Sequence, residues 1–134
     1  MTRYVVAHVN EMPVGSRRIV QAGRRTVGVF NVHGRFYGIR NACPHQGAPL
    51  CIGPVKGTNV SERPHQMTYV REGEIVRCPW HSWEFDITTG KSVFNPHSVR
   101  VKAYEVTTGP KEDDDVILET FEVTVEDDFV ILHA

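Results

Sequence analysis

Cys43-Pro44-His45-Gln46-Gly47-Ala48-Pro49-Leu50 and Cys78-Pro79-Trp80-His81-Ser82-Trp83-Glu84-Phe85-Asp86 each set a cysteine and a histidine close together beside a proline. Proline has a fixed φ and no N–H, so both pairs read as loop tips rather than as parts of a helix or an inner strand. A thiolate and an imidazole gathered by a tight loop, twice in a chain of 134 residues, supply four soft-to-borderline ligands that can converge on one metal centre. Ligand chemistry alone permits a single tetrahedral zinc held by Cys43, His45, Cys78 and His81.

Outward from these loops the chain reads as short strands broken by turns. Arg3 to Val9 alternates weakly and is broken by Asn10 to Gly15. Arg17 to Gln21 and Arg25 to Val32 flank the turn Ala22-Gly23-Arg24, and Arg35 to Ile39 follows the turn at His33-Gly34. Ile52 to Pro64 is rich in Gly and Pro and shows no periodicity, so little regular structure is expected there. Met67 to Val70 and Glu74 to Arg77 read as a hairpin around Glu72-Gly73 that delivers Cys78 from a strand end. Trp83 to Ile87 and Lys91 to Phe94 bracket Thr89-Gly90, and Val99 to Val106, Ile117 to Val125 and Phe129 to His133 complete the set. No segment has helical periodicity and there is no internal repeat. The expected fold is all-β, a small antiparallel sandwich or partly open barrel. Length argues for one domain over residues 1–134, with a metal-binding subdomain near 40–96.

The two-part pattern, Cys-x-His then Cys-x-x-His with Pro after each Cys, Gly47 past the first His and Trp-x-Phe-Asp past the second, resembles the Rieske iron–sulfur family. The resemblance implies one [2Fe–2S] cluster, with Cys43 and Cys78 on one iron and His45 and His81 on the other. Replacing two thiolates by neutral imidazoles brings the oxidised core from a formal charge of about −2 to near zero, which eases addition of an electron. It also implies a ferredoxin-like carrier that takes single electrons from a reductase and passes them to an oxygenase or related oxidoreductase. The alternatives are a Rieske subunit of a multi-chain oxygenase, a zinc-stabilised interaction module and a metal-free relative. A complete oxygenase needs a further iron held by two His and a carboxylate, and after His81 only His97 and His133 remain. The small nitrite reductase subunit shares the fold but often lacks the ligands, so the intact set argues against that assignment.

Against the family pattern, two departures stand out. The 32 residues from Gln46 to Arg77 are about twice what compact members use, and the excess falls around Val55 to Gln66. A tolerated surface loop and a partner-recognition element both fit such an insertion. Ser82 stands where many relatives have Gly, so either a positive φ strains it or its hydroxyl bonds locally. Other residues carry less. Cys51 reads as a small half-buried residue more than as a spare ligand, His65 and His97 as solvated loop residues, and Trp80 and Trp83 as shields over the metal site.

Residues 1–104 carry 14 Lys/Arg against 6 Asp/Glu, and residues 105–134 carry 1 against 10. The acidic runs Glu112 to Asp115 and Glu126 to Asp128 suit solvated turns, or steering toward a basic partner. The basic excess is dispersed and lacks a basic–aromatic nucleic-acid motif, so nucleic-acid binding is not expected. No stretch approaches the ~20 apolar residues of a membrane span. Met1 to Asn10 has no signal-peptide pattern, and three cysteines make no disulfide scaffold, so a cytoplasmic protein without a membrane anchor is expected.

High-potential Rieske proteins brace the two loops with a disulfide and supply Ser and Tyr hydroxyls beyond the second His. Here those places hold Ala48, Trp80, Trp83 and Phe85. With fewer hydrogen bonds to the cluster sulfurs, a redox titration is expected to place the potential in the lower part of the range of roughly −150 to +300 mV. A value near the positive end would contradict this.

Overall fold

The computed structural model describes residues 1–44, 47–64, 66–80, 82–94, 96–118 and 128–134. Ten strands are assigned among them: β1 (Arg3–His8), β2 (Arg17–Ala22), β3 (Arg25–Val32), β4 (Arg35–Arg40), β5 (Val55–Arg63), β6 (Gln66–Arg77), β7 (Glu84–Asp86), β8 (Ala103–Gly109), β9 (Val116–Ile117) and β10 (Phe129–His133). Single 3-10 turns occur at Val9–Glu11 and Leu50–Ile52, and the described residues hold no α-helix.

Seven strands form one sheet in the order β2-β3-β4-β8-β10-β1-β9, and β5-β6-β7 form a second. Pairing is antiparallel except that the short β9 runs parallel to β1. β1 and β2 stand five places apart in the large sheet yet touch each other, so the sheet curls back into a partly open barrel. That curl explains the burial of β3, where six consecutive residues from Val27 are buried. Val27 and Val29 point into the barrel with Val6, Val130 and Leu132, while Phe30 and Val32 face a second core shared with the small sheet. The turns follow local chemistry. At His33-Gly34 both residues take positive φ (52° and 93°), as a two-residue turn between twisted strands requires, and Gly at the second place makes this tolerable.

The meander from Arg3 to Arg40 and the strand Phe129–His133 lie where sequence patterning puts them. The stretch between the two Cys/His loops does not. Val55–Arg63, expected to lack regular structure, is a strand, and Met67 to Val70 and Glu74 to Arg77 do not pair with one another but lie on the single strand β6. β6 pairs with β5, and the register jumps from Lys56↔Ile75 to Thr58↔Val70. The residues that looked like a hairpin turn are therefore a bulge within one strand, with Arg71 and Gly73 at φ 60° and 80°. Lys91 to Phe94 contributes only the isolated bridges Lys91↔Arg100 and Phe85↔Ser92, and Val99 to Val106 becomes a strand only from Ala103. Of the strand expected over 117–125, Val116–Ile117 is present and residues 119–127 lie outside the described residues.

The bulge is clamped. Arg71 donates to Asp86 Oδ2 at 2.8 Å and Glu74 Oε1 at 3.1 Å, and Asp86 Oδ1 accepts from both the backbone N–H and the hydroxyl of Thr88. Burial alone would push the Asp86 carboxyl up, but the hydrogen bonds from Arg71 and Thr88 outweigh it and hold the group below the ordinary carboxylate value. Asp86→Asn is expected to lower stability by about 1 to 2 kcal/mol at neutral pH. Because the native carboxylate binds its proton less readily than the unfolded one, this contribution is complete above about pH 5 and fades as pH falls below ~4. Urea titrations of both proteins across that range should show the gap closing in acid.

Candidate metal centre

Cys43 lies three residues beyond β4, and Cys78 directly follows β6. Their loops close in the same way. In the first, the Cys43 N–H donates to the Ala48 carbonyl (2.8 Å) and the Gly47 N–H to the Cys43 carbonyl (2.7 Å). In the second, the Cys78 N–H donates to Trp83 (2.8 Å) and the Ser82 N–H to Cys78 (2.9 Å). Each cysteine thus exchanges bonds with the residues four and five places on, and the fourth is left-handed in both loops, Gly47 at φ 72° and Ser82 at φ 56°. Proline follows each cysteine, where its lack of an N–H leaves one fewer donor to satisfy.

Both cysteines are buried, at 1% and 0% exposure, and belong to one apolar cluster with Ala48, Leu50, Val76 and Phe85. The loops are tied to each other and to the barrel. The Arg77 N–H donates to the Pro54 carbonyl at 3.0 Å, and a Cβ at Gly53 would overlap the Arg77 carbonyl, so glycine is what lets the exit of the first loop lie against the entry of the second. From β2, the Arg17 guanidinium donates to the carbonyls of Cys51 (2.8 Å) and Gly53 while lying 5.9 Å from the Phe30 ring centroid. Asn41 Oδ1 accepts from the Cys51 N–H at 2.7 Å. Arg17 and Asn41 were not legible as supports in the sequence. No spacing rule links position 17 to position 51, and one side chain reaching a backbone carbonyl leaves no pattern.

Cys51 is fully buried rather than half-buried, and burial pushes its thiol up to about 12. Its Sγ lies 3.7 and 3.8 Å from the carbonyls of Ile39 and Arg40, as a packed thiol does. The two tryptophans differ. Trp83 packs against the apolar cluster that includes the cysteines and donates its indole N–H to Ser92 Oγ at 2.7 Å, whereas Trp80 is 59% exposed. The near end of the Val55 to Gln66 segment is tied down: Glu84 of β7 accepts from Thr58 Oγ1 (3.0 Å) and pairs with Lys56 Nζ (3.2 Å), joining β5 to β7 across β6. A groove of about 650 Å³ lies between Thr58 and Asn59, the second loop at Ser82 and Trp83, and the exposed Val93 and Phe94. His97 lies in an exposed turn. His45, His65 and His81 lie outside the described residues. In the first acidic run, Arg3 holds Asp115 at 2.8 Å and Glu112 at 3.4 Å, so half of that run is tied to β1.

The Rieske [2Fe-2S] domain profile matches residues 2–105. The chain belongs to that family. The family's cofactor is one Rieske-type [2Fe–2S] cluster, and twin loops that each bury a cysteine fit such a group: two thiols in one apolar cluster, on backbones whose hydrogen bonds are already closed. Apoptosis-inducing factor 3 of Mus musculus and of Homo sapiens is 36% identical over 85 residues, which are 63% of this chain. The match spans only 11% of the length of those proteins. The ferredoxin component of the 2,4-dinitrotoluene dioxygenase system of Burkholderia sp. (strain RASC) is 29% identical over 97 residues, 72% of this chain and 78% of that one. Among solved structures, the Sphingomonas yanoikuyae B1 ferredoxin superposes with a TM-score of 0.61 over 99% of both chains at 24% identity, which supports the fold.

Ser82 takes a positive φ of 56°, as the first of its two explanations requires. A non-glycine residue there carries strain of order 1 kcal/mol. Ser82→Gly is expected to raise stability by about that amount in thermal or urea melts. An unchanged or lower stability would show that the serine hydroxyl offsets the strain.

Proposed function

We propose that this protein is an electron carrier of the Rieske ferredoxin type. Cys43 and Cys78 supply thiolates to one iron of the [2Fe–2S] cluster, and His45 and His81 supply imidazoles to the other. The observation that carries the reading is the shared closure of the two loops, cysteine to the fourth and fifth residues on, around two thiols of one buried cluster. When bound, the cluster accepts and releases one electron. The protein's own groups do the rest: the paired backbone bonds fix both cysteines, Arg17 and the Arg77–Pro54 bond keep the loops in register, and the fully buried Phe85 and Leu50 exclude water.

The partners in this proposal are a reductase upstream and a terminal oxygenase or related oxidoreductase downstream, as the name of the dioxygenase-system relative suggests. The protein acts as a carrier and not as a catalyst. Residues 1–134 form one functional domain, with cluster binding in 40–96 and an acidic segment from 105 to 134. A cytoplasmic site of action suits the three cysteines, of which Cys51 is packed as a thiol. No helix among the described residues is long and apolar enough to cross a membrane.

Iron, acid-labile sulfide and zinc should be assayed on anaerobically purified protein, together with EPR of the dithionite-reduced sample. Two irons and two sulfides per chain with a rhombic signal of low average g are expected. Stoichiometric zinc without an EPR signal, persisting after cluster reconstitution, would replace electron transfer with a structural module.

A further inference from the structure

The two loops share one backbone plan but differ at the fifth residue after the cysteine. That residue is Ala48 in the first loop and Trp83 in the second. Trp83 therefore has two tasks. Its carbonyl receives the Cys78 N–H, and its indole packs against the apolar cluster that includes both cysteines, with its ring 6.1 Å from that of Phe85 between centroids. Ser92, which is 1% exposed, accepts the indole N–H at 2.7 Å and so ties the ring to the strand segment beyond it. Ser92 is itself held by its backbone, which bridges Phe85 and donates to the Val99 carbonyl at 3.0 Å.

We infer that Ser92 is a positioning residue for the cluster, holding Trp83 and through the Trp83 carbonyl the backbone of Cys78. The first loop has no ring at the matching place, and its brace is Arg17 and Asn41 acting on the segment that follows it. The two iron-binding loops are thus fixed by different means, and Ser92 serves the second alone. The inference rests on the cluster assignment above only for what the positioned cysteine holds.

Ser92→Ala, Ser92→Thr, Trp83→Phe and the double variant Ser92→Ala/Trp83→Phe test this. In Ser92→Ala, release of iron to a chelator in mild urea is expected to quicken about five- to tenfold, the factor one ordinary hydrogen bond is worth. The EPR line shape should shift with it. Ser92→Thr, which keeps the hydroxyl, should restore both, and Trp83→Phe should make the alanine substitution nearly silent in the double variant. Val130→Ala in the barrel serves as a control that lowers melting temperature without moving the EPR signal. Hydrogen exchange supplies a readout independent of metal: Ser92→Ala should speed exchange at the Cys78 amide and leave the Cys43 amide unchanged. Equal exchange at Cys78 in wild type and Ser92→Ala, or equal acceleration at both cysteines, overturns the inference. A wild-type protein without iron and sulfide would overturn the cluster assignment instead, and the exchange measurement still decides whether Ser92 holds the loop.

Discussion

The exchange of backbone hydrogen bonds within each cysteine loop is the constraint on which the rest of the structure depends. A thiol near zero exposure brings its own peptide groups into the core, and an unpaired buried amide or carbonyl costs about 1 to 3 kcal/mol. Most buried backbone is paired along a strand, but a loop tip has no neighbouring strand. Here the loop supplies its own partner four and five residues on, and this is feasible only if the fourth residue turns left-handed. Gly47 does so freely and Ser82 under strain, so the same geometry is built from unlike residues.

Given loops that satisfy themselves, the remaining requirement is that they hold a fixed separation. The barrel provides this from one side through Arg17 on β2, and β6 provides it from the other by running straight into Cys78. The close approach at Gly53 joins the two, because a side chain there would meet the backbone just before Cys78. The segment that looked like an addition to the fold is part of this frame. β5 pairs along β6, and the Lys56–Glu84–Thr58 contacts fasten its near end to the strand that leaves the second loop.

The barrel strands were legible because their alternation and turn residues are local. Arg25 to Val32 and Phe129 to His133 carry their strand character within a few residues, and Gly23 and Gly34 mark the reversals. The cysteine positions were legible for the same reason, since Pro44, Gly47 and Pro79 sit at fixed offsets. The β5–β6 pair was misread because its pairing is not local. Gly57 and Gly73 look like turn residues in sequence but serve a bulge, and Val55 to Arg63 alternates poorly because its order comes from lying along β6. Ser92 gave no signal, because what distinguishes it from other serines is a ring nine positions earlier that folds back onto it.

The two tryptophans of the chain both lie in the second loop, on either side of His81 in sequence, one 59% exposed and the other half-buried against the apolar cluster that includes the cysteines. Tryptophan fluorescence, excited beyond the absorption of the four tyrosines, therefore reports on this loop. A collisional quencher in solution reaches the 59% exposed Trp80 more readily than the half-buried Trp83, so the two signals differ in accessibility without any label. The loop carries its own optical probe, with one channel facing solvent and one facing the buried cysteine cluster.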